Sequence, residues 1–322
     1  MNITRHLSLT AFISLVLATG SQAQIKVRSG EKVAFLGDSI TQFGWDRPGG
    51  YVHLVAEGLE SAGVKIVPIP AGVSGNTSHD MIGRVDAAVI SKKPDWMTLS
   101  CGANDVLHGA NGGVELEPYK ANITAIVDKA QAAGIKVMIL TSTLLYESES
   151  SVYNQKVVAY NDFLRQLAKE RNLPLVDLNK IFWKAIAATP RPHLTVDGIH
   201  MSPEGNMLMA RGVLEGFGVP AEQVDAFEKT WRQSPDGAAV VAQLGLTVPA
   251  PVSLKSYAAI GPLAEERKIP QGELQSELLF EALRTVLKAH DQDATLTPAQ
   301  IQEELQKAFS QKIDEALKTP AK

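Results

Sequence analysis

Five short, mostly apolar runs recur along the chain from Lys32 onward, and glycine, proline or polar residues end each of them. Runs of this length are typical of strands that are buried on both faces of a sheet. We expect the second run to end at Pro70, because proline interrupts a strand ladder. The five runs span residues 33–36, 64–69, 96–99, 135–140 and 173–178.

Longer segments between these runs carry apolar residues at the i, i+3, i+4 and i+7 spacing of amphipathic helices. Gly63 and Gly134 directly follow two of these segments, at the place where helices favour glycine. Strands that alternate with helices predict an α/β fold with a parallel sheet covered on both faces. The clearest helical segments are 51–62, 119–133 and 153–171.

The alternation of strands and helices stops near Gly218. Prolines and glycines in 233–251 predict a loop-rich connection, and two amphipathic helices follow it. We expect 219–322 to form a mostly helical C-terminal extension, either as a small appendage or packed against the first domain. The two predicted helices span 272–289 and 298–317.

The first 23 residues have the pattern of a signal peptide. A short polar start containing Arg5 precedes an apolar run, and Ser21 and Ala23 supply the small residues of a cleavage site. The apolar run is too short to span a bilayer, and no later stretch approaches a membrane span. The sequence therefore predicts export to the periplasm or the medium, with the first mature domain at 24–218.

Composition and charge exclude some classes of protein. The chain is 45% hydrophobic and 20% charged, which is ordinary for a globular protein. The net charge is −4 with both signs scattered, so we expect no nucleic-acid partner. Cys101 is the only cysteine, which rules out an internal disulfide. We expect it to be a small buried core residue, since no histidine stands out as the partner of a cysteine nucleophile.

A serine and an Asp-x-x-His motif are the strongest candidates for catalysis. Ser39 follows the first strand, and a serine hydroxyl needs a base to become a nucleophile. His200 can be that base, and Asp197 can accept a proton from its other ring nitrogen. The alternatives are a capping serine and an accidental or weak metal pair, but a metal needs more ligands. Thr41 stands where a G-x-S-x-G elbow has glycine, so the motif is not of that kind.

Two further residues follow the second and third strands and can stabilise a developing oxyanion. Gly75 offers a backbone N–H, and Asn104 offers a side-chain amide. Either residue alone is common in turns. Together with the N–H of Ser39 they would form a three-donor site. We expect Asp38 to orient the serine turn rather than to react.

Four blocks of residues, in this order, resemble those of the SGNH hydrolases, also called the GDSL family, over about residues 32–216. The resemblance implies a three-layer α/β/α, flavodoxin-like fold with five parallel strands, and neither a metal nor a cofactor. It also implies a Ser39, Asp197 and His200 triad, with Ser39, Gly75 and Asn104 as oxyanion donors. The blocks are Gly-Asp-Ser-Ile (37–40), Gly-Val-Ser-Gly-Asn-Thr (72–77), Gly-Ala-Asn-Asp (102–105) and Asp-Gly-Ile-His (197–200).

The substrate follows less directly, because the family includes carbohydrate O-acetylesterases, lysophospholipases, thioesterases and arylesterases. No long hydrophobic insertion near the blocks offers a fatty-acyl site. Trp45, Trp183 and His193 either form an aromatic platform for sugars or simply pack. We therefore expect a small-molecule or glycan ester, an acetylated carbohydrate first and a lysophospholipid or thioester second. An idle glycan-binding or interaction protein is the third possibility, but it would not need all five site residues.

Overall fold

The computed structural model describes the chain from residue 25 to residue 318 with gaps. The signal-peptide prediction for 1–23 and His193 lie outside the described residues. The described ranges are 25–47, 49–188, 194–233, 240–242, 250–252, 254–267, 274, 278–279, 281–282, 285–286 and 298–318.

Five parallel strands form the central sheet, in the order β2-β1-β3-β4-β5. Their apolar sequences are buried on both faces, as helices on either side of a parallel sheet require. The predicted α/β fold is confirmed. The strands are β1 (Lys32–Gly37), β2 (Val67–Gly72), β3 (Trp96–Ser100), β4 (Lys136–Leu140) and β5 (Leu175–Val176).

Strand β2 begins and ends later than its apolar run predicts, and Pro70 lies within it rather than at its end. Pro68 also belongs to the strand. Because β2 is an edge strand that pairs only with β1, a residue without an N–H is tolerated there. The register pairs Gly37 with Gly72, so the loops after β1 and β2 leave the sheet side by side.

Helices connect the strands, and the three clearest predicted helices are confirmed to within three residues at each end. Helices follow each of the five strands, and the first of them starts directly after β1. The helices up to residue 217 are α1 (Ser39–Asp46), α2 (Tyr51–Ser61), α3 (Ser78–Ala88), α4 (Ala103–Leu107), α5 (Leu116–Ala132), α6 (Val152–Glu170), α7 (Leu178–Ala188) and α8 (Pro203–Phe217).

Two hydrophobic cores cover the two faces of the sheet. Helices α2, α7 and α8 pack on one face, where Phe35 and Leu140 point. Helices α3, α5 and α6 pack on the other face, against Leu36 and Leu99. Alternate residues of the strands therefore feed separate cores, which is the three-layer α/β/α arrangement that the sequence predicts.

Helix α9 (Ala221–Gln233) lies beyond the predicted end of the first domain but packs onto α8. Val224 and Trp231 are buried in the same core as Phe217. Arg211 of α8 also pairs with Glu228 at 2.7 Å. The boundary at residue 218 stays a prediction, and this packing favours a boundary after α9.

The remaining C-terminal residues contain a short antiparallel pair of strands, β6 (Val240–Ala242) and β7 (Ala250–Val252). The sequence predicted a connection without strands there. Helix α10 (Leu254–Arg267) is a second element outside the predicted pattern, and it contains Pro262.

The C-terminal helix α11, Pro298–Lys318, agrees with the predicted helix at 298–317. The other predicted helix, 272–289, is described only in part, and its described positions are helical. Phe309 and Ile313 pack with Leu263 and Leu274 in a third, separate core. Within the described ranges, no helix is long and apolar enough to cross a bilayer.

Candidate active site

Ser39 is the first residue of α1 and is 8% exposed. Asp38 caps the helix, because its side-chain oxygen accepts the N–H of Ile40 at 2.9 Å. Gly37 precedes it without a side chain, and a Cβ at that position would lie 2.0 Å from the hydroxyl oxygen of Thr41. The turn therefore brings the serine to the carboxyl end of β1, and Asp38 orients the turn.

His200 lies between Ser39 and Asp197. Its Nε2 is 2.9 Å from the Oγ of Ser39, and its Nδ1 is 2.6 Å from Oδ2 of Asp197. With Nδ1–H donating to the carboxylate, Nε2 is left to accept the proton of the serine hydroxyl. The structure therefore brings together the three residues that the sequence pattern selects, across 161 positions of the chain.

The Asp197 carboxylate is held in its charged form. Burial alone would raise its pKa. Hydrogen bonds from the His200 ring and from the backbone N–H groups of His200 and Ile199 outweigh burial and bring the pKa to about 2. Asp197 is therefore a stable anionic partner for an imidazolium at neutral pH.

The predicted oxyanion donors lie around the same point. The N–H of Ser39 is at the first position of α1, where a helix offers no backbone acceptor. Gly75 has a φ of 78°, and in the part of the chain that is described nothing accepts its N–H. Asn104 donates one amide hydrogen to the carbonyl of Asn76 at 3.0 Å, which leaves its second hydrogen for the cavity.

Sequence reasoning missed two residues that hold the loops around the predicted oxyanion donors. Arg84 of α3 donates to the side chain of Asn76 at 2.5 Å and to the carbonyl of Gly37 at 2.9 Å. Gln42 of α1 accepts from the N–H and the hydroxyl of Ser74 at 2.7 and 2.8 Å. Both lie outside the four sequence blocks, and only the tertiary fold shows what they contact.

Buried acids lie beneath the site. Burial raises the pKa of Asp38 to about 6 and also raises that of Asp105. Asp105 of α4 accepts the N–H of Ser78 at 2.9 Å and so ties the start of α3 to α4. Cys101 is 2% exposed, which confirms the expected buried residue.

A cavity of about 420 Å³ opens over Ser39. Four of the five predicted site residues line it, and Asp197 supports His200 from behind. Trp45 stacks on His53 with ring centroids 4.5 Å apart, and Trp183 packs against the core, so the cavity's aromatic residues are others. The lining residues are Ser39, Phe43, Ser74, Gly75, Asn104, Leu107, His108, Tyr146, Tyr153, Ile199 and His200.

The arrangement places a serine hydroxyl, an imidazole, a carboxylate and hydrogen-bond donors around one point. These are the groups that acyl transfer requires. Among the residues whose positions are described, no group of three His, Cys, Asp or Glu side chains could hold a metal ion.

Comparison with known proteins identifies relatives of the first domain. An acetylxylan esterase of Geobacillus stearothermophilus is 29% identical over 214 residues, which are 60% of this chain and 97% of the relative. An esterase of Pseudomonas aeruginosa is 30% identical over 137 residues, 42% of this chain and 63% of the relative.

Solved structures of similar proteins share the fold of the first domain. The crystal structure of the Geobacillus acetylxylan esterase superposes with a TM-score of 0.56 at 29% identity, covering 61% of this chain and 98% of that one. Structures of that esterase with a serine, an aspartate or a histidine replaced by alanine are described as catalytic mutants. An α/β hydrolase from the metagenome of Lake Arreo shares the fold, with a TM-score of 0.57 at 24% identity over 61% of this chain and 99% of that one.

The family model for GDSL-like lipases and acylhydrolases matches residues 35–208, which is more than half of the chain and includes both the serine turn and the histidine turn. With its esterase relatives, this match makes the protein a carboxylic ester hydrolase. The chain belongs to the GDSL-like lipase/acylhydrolase family.

Proposed function

We propose that this protein is an exported serine esterase that removes small acyl groups, acetyl first, from carbohydrates. The observation that carries the proposal is the continuous hydrogen-bonded path from Ser39 through His200 to Asp197, with distances of 2.9 and 2.6 Å. The serine, aspartate and histidine variants of the Geobacillus esterase that are described as catalytic mutants add support. Its aspartate and histidine are three positions apart, as Asp197 and His200 are.

In the first stage, the Oγ of Ser39 attacks the ester carbonyl carbon while Nε2 of His200 takes its proton. The carbonyl oxygen becomes negatively charged. The N–H groups of Ser39 and Gly75 and the amide of Asn104 donate to it. When the intermediate collapses, His200 passes its proton to the leaving alcohol oxygen, and an acyl-enzyme remains.

In the second stage, water takes the place of the alcohol. His200 removes a proton from the water, whose oxygen attacks the acyl carbon, and the same donors receive the oxyanion. The proton returns to the Oγ of Ser39, and the free acid leaves. Asp197 stays charged throughout and stabilises the imidazolium that forms twice in each cycle.

The carbohydrate part of the proposal is supported by the relative and by the cavity. The Geobacillus relative is named an acetylxylan esterase. Aromatic rings of Phe43, Tyr146 and Tyr153 line the cavity beside the polar groups, and such rings suit the apolar faces of sugars. The second candidate is hydrolysis of long acyl esters or thioesters, which the apolar Leu107 and Ile199 in the same cavity would favour.

A chromogenic ester series from acetate to palmitate tests the acyl group. We expect kcat/KM to be highest for acetate and to disappear in Ser39→Ala. Ser91→Ala serves as the matched control, because Ser91 is exposed and does not line the cavity. A maximum of kcat/KM at long acyl chains would instead favour a lipid or thioester substrate. No hydrolysis above the Ser39→Ala background on any ester would favour the idle binding protein.

Acetate release from acetylated xylo-oligosaccharides then tests the alcohol part. We expect a higher kcat/KM on these sugars than on the chromogenic acetate, because the sugar can contact the aromatic wall. A kcat/KM that is equal or lower on every acetylated sugar tried would contradict a carbohydrate substrate. It would not contradict the proposed esterase activity.

Export is tested separately by expressing the whole chain with its own first residues. We expect the product outside the cytoplasm to begin at Gln24, after the Ser21-Gln22-Ala23 sequence. Intact-mass measurement of the secreted and cytoplasmic fractions reports the cleavage. An uncleaved product confined to the cytoplasm would contradict this part of the proposal.

A further inference from the structure

The segment that carries Asp197 and His200, residues 194–202, connects to α8 without regular helix or strand of its own. Hydrogen bonds within the segment hold the Asp197 carboxylate on the N–H groups of Ile199 and His200 and tie the two ends of the segment together. The N–H of Val196 donates to the carbonyl of His200 at 2.9 Å, and Ser202 donates to Leu194 at 2.9 Å. A loop of this kind needs outside contacts to hold two side chains at hydrogen-bonding distance from a serine on another element.

Tyr146, in the loop after β4, supplies one such contact. Its backbone N–H donates to the carbonyl of Gly198 at 2.6 Å. Its ring lies directly against Gly198, since a Cβ at residue 198 would be 2.3 Å from a ring carbon. Gly198 also has a φ of 91°, which favours glycine. Tyr146 therefore contacts the turn between Asp197 and His200 through both backbone and side chain.

Glu147 supplies the second contact, at the start of the same segment. Its Oε1 accepts both the N–H and the hydroxyl of Thr195, at 2.6 and 2.7 Å. Adjacent residues of one loop thus hold the segment on either side of Asp197.

The loop itself is fixed by α6. Tyr146 has a φ of 63°, a left-handed conformation that is uncommon for a residue with a side chain. The buried Asn154 of α6 holds it there, because its amide donates to the carbonyl of Tyr146 at 2.7 Å and its oxygen accepts the N–H of Leu145 at 2.7 Å. Such a conformation persists where the surroundings require it, and it is concentrated at functional sites.

We propose that Tyr146 and Glu147 are positioning residues that set the place of Asp197 and His200 relative to Ser39. The inference rests on the proposed function of that triad. Asn154 of α6 holds the loop that contains Tyr146 and Glu147. These two residues in turn contact the segment that carries Asp197 and His200. A displacement of about 1 Å at such a site can lower a rate about 100-fold.

Tyr146→Gly tests the inference, because glycine adopts the same φ without strain and keeps the N–H but lacks the ring. Two rates are measured: kcat for the acetate ester, and covalent labelling of Ser39 by a small fluorophosphonate. Labelling needs the activated serine but no sugar binding. We expect both rates to fall about 10- to 100-fold with an unchanged or higher Tm. We expect Tyr146→Phe, which keeps the ring against Gly198, to label faster than Tyr146→Gly.

Glu147→Ala is the second variant, with Glu149→Ala as its matched control. Glu149 is an exposed acid in the same loop, so the control removes the same charge. We expect slower labelling for Glu147→Ala and the wild-type rate for Glu149→Ala. If Tyr146→Gly fails to fold, this pair decides the question.

Unchanged labelling in both Tyr146→Gly and Glu147→Ala would overturn the inference, whether or not KM rises. A rise in KM alone would make Tyr146 part of the substrate-binding surface instead. Failure of the proposed function looks different, because the wild-type protein itself would then show neither hydrolysis nor labelling at Ser39.

Discussion

The side-chain amide of Asn104 has two hydrogens. One donates to the carbonyl of Asn76, and the other is left for the cavity. We expect Asn104→Ala to lower kcat about 10²- to 10³-fold with little change in KM, because the lost bond forms mainly in the transition state. Steady-state kinetics on the acetate ester measure this. Asn111→Ala, at an exposed asparagine outside the cavity, should match the wild type. A loss confined to KM would remove Asn104 from the oxyanion site.

Asp38 gives a pH dependence of stability. Burial raises its pKa from 3.8 to about 6, so between pH 4 and 6 the folded chain binds more protons than the unfolded chain. Stability from this group therefore falls as pH rises through that window, by about 3 kcal/mol in all. Asp38→Asn keeps the acceptor for the N–H of Ile40 and removes the titration.

We therefore expect Asp38→Asn to be more stable than the wild type at pH 8, with the difference shrinking toward pH 4. Urea unfolding at a series of pH values measures the two free energies. A constant difference across the series would contradict the raised pKa of Asp38.

The candidate catalytic residues were predictable because the proposed reaction requires their residue types. Ser39 and Asn104 also closely follow strands, and His200 stands three positions after Asp197. Arg84 and Tyr146 were not predictable, because nothing local marks them. Their contacts, to Gly37 and to Gly198, join segments about 50 residues apart along the chain.

Strand β2 and helix α1 approach each other closely at Gly72, where a Cβ would lie 2.2 Å from the backbone nitrogen of Gln42. Backbone cannot move aside as a side-chain end can. We expect Gly72→Ala to lower the free energy of unfolding by about 1–3 kcal/mol. It should also lower kcat, because the loop that carries Gly75 begins at this residue.

The control is Gly83→Ala in α3, where nothing lies within 4 Å of the added Cβ and the helix gains from alanine. Thermal unfolding should therefore separate the two variants in opposite directions. Equal stability of the two proteins would contradict the close approach of β2 and α1.

Secondary structure followed the hydrophobic pattern wherever a whole face of an element is buried, as in α2 and α6. It deviated where position in the sheet decided the outcome. Pro68 and Pro70 are tolerated because β2 has a free edge, and an edge position depends on strand order. The pair β6 and β7 was missed because each strand spans only three residues.

The described residues form two hydrophobic cores on the faces of the sheet and a third among the C-terminal helices. Every lining residue of the cavity lies between Ser39 and His200. We expect a chain that ends at Gln233 to keep its kcat on the acetate ester. Loss of kcat in a folded 24–233 chain would show that the extension contributes to the site.

A chain that ends at Gly218 should behave differently, because it lacks α9. Removing Val224 and Trp231 exposes the core around Phe217, and Arg232 no longer pairs with Glu204. We expect a lower Tm than for the chain that ends at Gln233, measured by thermal unfolding. Equal Tm values would instead support the boundary at residue 218.

Alkylation of Cys101 can report how often the folded protein opens transiently and exposes its buried thiol. Its thiol lies beneath the site with a pKa held well above its ordinary value by burial, and only a thiolate is alkylated readily. Because the chain has no second cysteine, the rate at which iodoacetamide adds mass to the protein measures how often the layer under the serine opens to solvent. A ligand in the cavity should slow that alkylation, so binding can be followed with no turnover at all.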